Sequence, residues 1–283
     1  MTRILRKENL NDQVFKVELD APLISKKALP GQFVIVRVDE DGERIPLTIS
    51  DYNRDQGTIS LVVQVVGATT KKFSMLKEND ELQDVVGPLG KPSDLKGIKR
   101  ACVVGGGVGC AIAYPIAKEL KALGAVVDSV IGFRNKELVI FENEFAAVSN
   151  QFRLMTDDGT AGEKGLVTDA LKKLIDGGAN YDTVIAIGPL IMMKFVAKLT
   201  GQYHIKTIVS MNPIMIDGTG MCGGCRLTVG GQMKFACVDG PDFDAHQVDF
   251  DEAMARSRMY GAFEKHAYEE TCNLFREANK DAE

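Results

Sequence analysis

The 283-residue sequence predicts a β-barrel domain, then an α/β domain with a doubly wound parallel sheet, then a cysteine-bearing loop and a helical tail. Three observations predict this. Between Val14 and Val86 short β-rich runs alternate with turn residues; after Lys99-Arg100 apolar runs alternate with helical periodicity; and three of the six cysteines crowd between Asp217 and Cys237. The expected units are residues 1–98, 99–212 and 213–283.

In the first unit the runs VFKVEL, QFVIVRV, RIPLTIS and TISLVVQVV are separated by PG, DEDGE and NRDQG. Several short strands at close spacing point to a small barrel or sandwich. TTKKFSML, from Thr69 to Leu76, reads as one short helix, and VVGPLG, from Val85 to Gly90, reads as a closing Gly-Pro turn. Arg44-Ile45-Pro46-Leu47-Thr48 joins a guanidinium that forks onto phosphate to a hydroxyl and strand backbone suited to a ring system. A solvated arginine at a strand start is the plainer alternative. Gly67-Ala68-Thr69-Thr70 offers amides at a helix start for an anion, or simply a helix cap.

The second unit opens on Ala101-Cys102-Val103-Val104, a continuous apolar strand, then Gly105-Gly106-Gly107-Val108-Gly109, then the helical run AIAYPIAKELKALG. AVVDSVIGF follows as a second strand, and DTVIAIGP, preceded by the helix LVTDALKKLIDG, as a third. Strands alternating with helices form a parallel sheet, which binds ligands at the carboxyl ends of its strands. A glycine loop there lets phosphates approach backbone amides and a helix N-terminus. The loop departs from G-x-G-x-x-G, with Cys110 at the third glycine's place, and Gly132-Phe133-Arg134-Asn135-Lys136 lacks the ribose-binding acid. Arg134 and Lys136 either favour a 2′-phosphate or face water. Gly188-Pro189 ends the third strand in a sharp turn, and Pro115, in the second turn of this unit's first helix, is expected to kink it.

The loop reads D-x4-C-x2-C-x11-C through Asp217, Cys222, Cys225 and Cys237, the plant-type iron–sulfur spacing with aspartate at the first ligand position. A 2Fe-2S site is expected: a small cluster needs crowded ligands, and the surrounding glycines allow tight turns with amides near sulfur. Two alternatives stay open. One is a structural zinc site; the other makes Asp217 a turn residue, with Cys272, Cys102 or Cys110 as fourth ligand.

Composition is that of a globular protein, 45% hydrophobic and 26% charged, and the net charge of -5 leaves no nucleic-acid footprint. The longest apolar run, Val184 to Met193, is too short to span a bilayer, and MTRILRKENLND lacks an export signal's apolar stretch. Cytoplasmic location is the default, with the cysteines reduced.

The motifs R-x-P-L-T at Arg44–Thr48, GATT at Gly67–Thr70, GPLG at Gly87–Gly90, GGGVG at Gly105–Gly109, IGP at Ile187–Pro189 and the cysteine loop together resemble the ferredoxin–NADP reductase superfamily over roughly residues 1–250. Within it the chain is similar to the flavin and iron–sulfur subunits of the dihydroorotate dehydrogenase electron-transfer type. Those carry four loop cysteines. Asp217 in the first position instead resembles the family of small subunits of NADH-dependent ferredoxin:NADP oxidoreductases, also known as sulfide dehydrogenase subunits. The resemblance implies FAD on the barrel, NAD(H) on the α/β domain and a 2Fe-2S cluster in the loop. It also implies a larger flavo-iron–sulfur partner that serves ferredoxin and NADP(H) by electron bifurcation. The cofactor-binding residues it implies are Arg44, Pro46, Leu47, Thr48, Gln64, Val65, Gly67, Thr69 and Thr70 for FAD, with Gly105, Gly107, Val108, Gly109 and Gly188 for NAD(H). No catalytic acid or base is implied, because the cofactors carry the chemistry.

The tail after Gly240 is acidic and then helical, with Met254, Met259, Phe263 and Phe275 as apolar positions expected to pack on the body or a partner. His246 is expected to be a hydrogen-bonded loop residue and Cys272 a structural thiol. Two rivals to the redox-subunit reading are a dihydroorotate dehydrogenase electron-transfer subunit and a zinc-stabilised nucleotide-binding regulator.

Overall fold

A computed structural model of the chain describes residues 1–280, with side chains through Asn273. The first unit contains β1 (Thr2–Asn11), β2 (Val14–Asp20), α1 (Pro22–Ser25), β3 (Phe33–Arg37), β4 (Arg44–Asn53), β5 (Thr58–Gln64), α2 (Ala68–Met75), β6 (Glu81–Leu82) and β7 (Asp84–Leu89). They form one antiparallel sheet, ordered β6-β1-β2-β5-β4-β3-β7, that curls into a nearly closed barrel. Leu19, Val36, Ile49, Ile59 and Leu61 fill it, and Phe73 from α2 inserts against Phe15, edge to face at 5.3 Å between centroids.

Two expectations about this unit change. The N-terminal TRILRKENLN is a full strand, β1, hidden from pattern reading because only Ile4 of its side chains is fully buried. VVGPLG is the strand β7 rather than a turn; it sits at the sheet's end, and its pairing with β3 shifts register between Phe33 and Ile35, where Gly87-Pro88 is accommodated as a cis peptide. Proline is tolerated at edges and bulges because no ladder N–H is required there.

The second unit runs β8 (Arg100–Gly106), α3 (Gly109–Ala122), β9 (Val126–Phe133), α4 (Glu142–Val148), β10 (Gln151–Thr156), β11 (Glu163–Lys164), α5 (Val167–Asp176), β12 (Thr183–Ile187), α6 (Leu190–Gln202) and β13 (Lys206–Ser210). Sheet order is β11-β10-β9-β8-β12-β13, all parallel. The run DTVIAIGP is therefore not the third strand: β10 and β11 intervene. Gln151 and Arg153 on β10 are exposed, so QFRLMT never presents a continuous apolar run. Pro115 lies inside α3, which continues to Ala122.

The last unit begins with the cysteine loop and adds the hairpin β14 (Arg226–Val229) and β15 (Gln232–Phe235), then α7 (Ala236–Asp239), β16 (Asp242–Asp244), α8 (Phe250–Ser257) and α9 (Gly261–Lys280). β16 pairs antiparallel with β13 and completes the nucleotide sheet's edge. α8 packs on α6 and β14, whereas α9 crosses to α2 on the barrel. Among the tail's apolar positions Met254 is half-buried, while Met259 and Phe263 are exposed rather than packed. Phe275 lies outside the described side chains.

Candidate functional site

The strand order reverses around β8, whose neighbours β9 and β12 continue the chain in opposite directions, and a ligand crevice belongs at such a point. A cavity of about 1040 Å³ lies there, roofed by the barrel residues Gln13, Val14 and Gln64 and floored by Gly106–Gly109, Gly132 and Gly188-Pro189. Val65 continues the barrel rim, its amide donating to Gln13 O at 2.8 Å. Of the residues expected to meet a dinucleotide, Gly107, Val108, Gly109 and Gly188 line this cavity. Gly105 lies beneath it: a Cβ there would meet Cys110 Sγ at 2.8 Å. The departure at Cys110 is thus compensated by a glycine directly beneath the thiol. Gly109 serves close packing, since an added Cβ would meet Ile187 O at 2.6 Å and Gly188 Cα at 2.7 Å.

Pattern reading missed Asp157. After β9 no acid stands where a ribose would be read, but one strand over Asp157 follows β10 and lines the same cavity as Arg134. Its amide donates to Phe133 O at 3.0 Å, fixing the two strand ends together. The signal was the apolar end of QFRLMT followed by Asp157-Asp158, legible only once that run is known to be a strand. Lys136 opens a short turn, its amide donating to Thr160 Oγ1 at 2.8 Å. Ser210 and Asn212, at the end of β13, also line the cavity without having been anticipated.

The flavin-binding expectation meets an opened barrel. Arg44 to Thr48 of β4 pair with β3, from Arg37↔Arg44 to Phe33↔Thr48, but β4 and β5 pair only from Ile49↔Leu61 onward. The first half of β4, carrying Arg44, Pro46, Leu47 and Thr48, therefore keeps one backbone edge free, and all five residues from Arg44 are half-buried. Beyond the gap α2 presents its N-terminus. An added Cβ at Gly67 meets nothing within 4 Å, so the space before the first amides is clear. Thr70 Oγ1 accepts from the Val66 and Gly67 amides, each at 3.0 Å, and Thr69 Oγ1 donates to Glu43 Oε2 at 2.8 Å. A free strand edge, an arginine and a helix N-terminus fit the ring system and phosphates of FAD.

The cysteine loop presents two pairs of side chains. Cys225 and Cys237 are buried with sulfurs 3.2 Å apart, and burial, then the Cys225 thiol, push Cys237 up to about 12. Asp217 and Cys222 form the other pair: Asp217 Oδ2 accepts from the Cys222 amide at 2.9 Å and Oδ1 from the Thr219 amide at 2.8 Å. Those amides, Thr219 first, hold the Asp217 carboxyl below the usual carboxylate range. Asp217 therefore acts as a turn residue, and a carboxylate accepting two bonds keeps lone pairs for a metal. Gly224 N donates to Cys222 Sγ at 3.5 Å, a contact of the kind that surrounds cluster sulfurs. Among the described residues no three His, Cys, Asp or Glu side chains gather closely enough to hold one ion. Two pairs of donors, each of a chemistry that binds iron, are what an iron–sulfur cluster would find here. A metal would ionise the Cys237 thiol, which burial keeps protonated.

The other cysteines stand elsewhere. Cys102 and Cys110 are wholly buried in the nucleotide domain, where burial raises both, and Cys272 is on α9. His246 is a hydrogen-bonded loop residue, its Nε2 3.0 Å from Ile205 O.

Comparison with known proteins agrees with this geometry. Residues 3–93 match the oxidoreductase FAD-binding domain, and residues 212–249 match the iron–sulfur cluster binding domain of dihydroorotate dehydrogenase B. Fold and site define a flavin and iron–sulfur oxidoreductase of the ferredoxin-reductase type. A Thermotoga maritima homologue of the electron-transfer subunit of dihydroorotate dehydrogenase B (NAD(+)) is 48% identical, over 95% of each chain. The corresponding subunit from Desulforamulus reducens is 33% identical, over 83% of this chain and 92% of its own. The solved structure of an NADH-dependent reduced ferredoxin-NADP oxidoreductase, studied for flavin-based electron bifurcation, matches with a TM-score of 0.90 at 47% identity, over 95% of this chain and 97% of that one. The chain belongs to the family of dihydroorotate dehydrogenase B electron-transfer subunits and their homologues.

Proposed function

We propose that the chain is the NAD(H)-facing subunit of a heteromeric enzyme. In this role it passes electrons to a larger flavo-iron–sulfur partner that serves ferredoxin and NADP(H) by flavin-based electron bifurcation. The observation that carries this is the adjacency of three sites: one cavity joins the glycine loop to the barrel at Gln64, and Arg44 of the barrel reaches the backbone of the cysteine loop. When bound, FAD exchanges hydride with NAD(H) and single electrons with an iron–sulfur centre.

The residues have distinct tasks. The amides at the start of α3, with Gly107 and Gly109, meet the dinucleotide's phosphates, and Gly188 lets the nicotinamide end approach the barrel. Asp157 accepts from the adenosine ribose hydroxyls, which favours NAD(H), since a 2′-phosphate there would face a carboxylate. Arg44 and the α2 amides hold the flavin phosphates, while Pro46, Leu47, Thr48, Gln64 and Val65 border its ring. Asp217, Cys222, Cys225 and Cys237 would hold a 2Fe-2S cluster, which would supply a one-electron carrier beside the flavin. The loop's outer side carries Met221 at 89% exposure and Met233 at 63%, apolar tips suited to an adaptable protein contact.

Anaerobic addition of NADH to the purified chain tests this: both the flavin band and the cluster absorbance should bleach, with NADPH far less effective. A flavin that stays oxidised with NADH would sink it. The match of residues 212–249 to the iron–sulfur cluster binding domain of dihydroorotate dehydrogenase B favours one second reading, an electron-transfer subunit of dihydroorotate dehydrogenase. Co-purification separates the two, by a glutamate-synthase-like flavoprotein on one side or a dihydroorotate-oxidising barrel on the other.

A further inference from the structure

We propose that Arg44 is a positioning residue that couples the flavin site to the cluster loop, so that filling either site strengthens the other. The coupling rests on the flavin and cluster sites proposed above. Arg44 Nε donates to Ile216 O at 3.1 Å, across 172 positions of sequence, and Ile216 immediately precedes Asp217. A guanidinium offers five donors in a rigid planar fork. Among the described residues the terminal nitrogens of Arg44 make no hydrogen bond, and Arg44 itself stands on the half of β4 that β5 leaves unpaired. One plane thus has an inner nitrogen on the cluster loop and two outer nitrogens left over for a flavin phosphate.

The other side of Asp217 is also held by the barrel. Gly218 has φ +76°, and a Cβ there would meet Leu89 Cδ1 at 2.7 Å and Ile35 Cγ1 at 3.1 Å, so the loop backbone rests directly on β7 and β3. Met215, Cys225 and Cys237 share a core with Phe33 and Ile35 of β3. Asp217 is therefore suspended between a carbonyl tied to Arg44 and a glycine seated on the barrel. A bound phosphate fixes the guanidinium plane, which fixes the Ile216 carbonyl and with it the direction of the Asp217 carboxylate. Without phosphate the plane is held only by the single Nε bond to Ile216 O, and the carbonyl before Asp217 is less firmly fixed. Linkage makes the effect reciprocal.

The test uses the full chain carrying its cluster, stripped of flavin and then titrated with FAD. Loss of the cluster to an iron chelator is followed by its visible absorbance. Saturating FAD should slow that loss by about three- to tenfold, the range one net hydrogen bond provides. Iron removal should weaken FAD binding about three- to tenfold, the equilibrium side of the same coupling. In Arg44→Lys the ammonium is a point charge that cannot orient both partners. At saturating FAD its cluster should be lost as fast as in flavin-free wild type, with the EPR spectrum of that form. Equal rates with and without FAD in the wild type, or full protection in Arg44→Lys, would overturn the coupling. A wild-type chain lacking flavin, or lacking iron and sulfide, would instead overturn the two sites themselves, and composition analysis shows this before any titration.

Discussion

Three carboxylates in this chain meet three different environments, and each yields its own expectation. Asp217 is half-buried, and two loop amides, Thr219 first, outweigh the desolvation and hold its carboxyl below the usual range, so it can ligate iron as a carboxylate. Carboxylate for thiolate keeps the formal ligand charge, so no rise in potential of the kind neutral histidines cause is expected. Asp217→Ala should lose the cluster or its EPR signal while flavin is retained; unchanged iron, sulfide and spectrum would exclude the ligand role. Asp157 is exposed at the cavity wall, and Asp157→Asn should weaken NADH binding about tenfold, the worth of a charge-assisted hydrogen bond, while improving NADPH. Steady-state constants for both nucleotides check this. Asp242 is buried where barrel, nucleotide sheet and C-terminal segment meet. Its Oδ2 accepts from Ser93 Oγ at 2.6 Å, Oδ1 has no partner among the described residues, and burial raises its pKa. A carboxyl whose folded pKa lies above its unfolded value contributes stability that is complete below the unfolded pKa. That stability is lost as pH rises through the folded one. Asp242→Asn should therefore flatten the decline in thermal midpoint from acid to neutral pH, by about 2–4 °C; an unaltered pH profile would show that Asp242 is not its source.

Among the elements, α3 depends on one contact. Its first residue, Gly109, lies against the backbone of Ile187 and Gly188, which cannot yield as a flexible side chain would. Gly109→Ala should cost about 1–3 kcal/mol and push α3 off the sheet. Reduction by NADH should then fail while the flavin spectrum persists, as spectra and denaturant unfolding would record. The elements that pattern reading found are those with a self-contained signal. β2 to β5 are β-rich runs bounded by turn residues, and β8 and β12 are continuous apolar runs. β1, β7 and β10 escaped it because each is half-polar or carries Gly-Pro, and their partners rather than their own residues make them strands. With β10 unseen, Asp157 had no position.

At the scale of the whole molecule, the cysteine loop is a bridge rather than an appendage. Its spacing was legible, as was the order of barrel, nucleotide unit and loop. Its seat was not, because Gly218 against Ile35 and Arg44 against Ile216 join segments far apart in sequence. The nucleotide sheet takes β16 from beyond the loop, and α9 returns to the barrel at α2, so the three units interlock. Truncating the chain before Phe250 should loosen both contacts made by α8 and α9, seen as faster flavin release on dilution. No helix among the described residues is long and apolar enough to cross a membrane. The central claim is that one chain holds FAD on an opened barrel and a two-iron cluster between the pairs Asp217–Cys222 and Cys225–Cys237. Its most direct test is the visible and EPR spectrum of the purified chain with metal, sulfide and flavin analysis. One FAD with about two irons and two sulfides per chain is the predicted result, and a colourless protein carrying zinc and no flavin would contradict it.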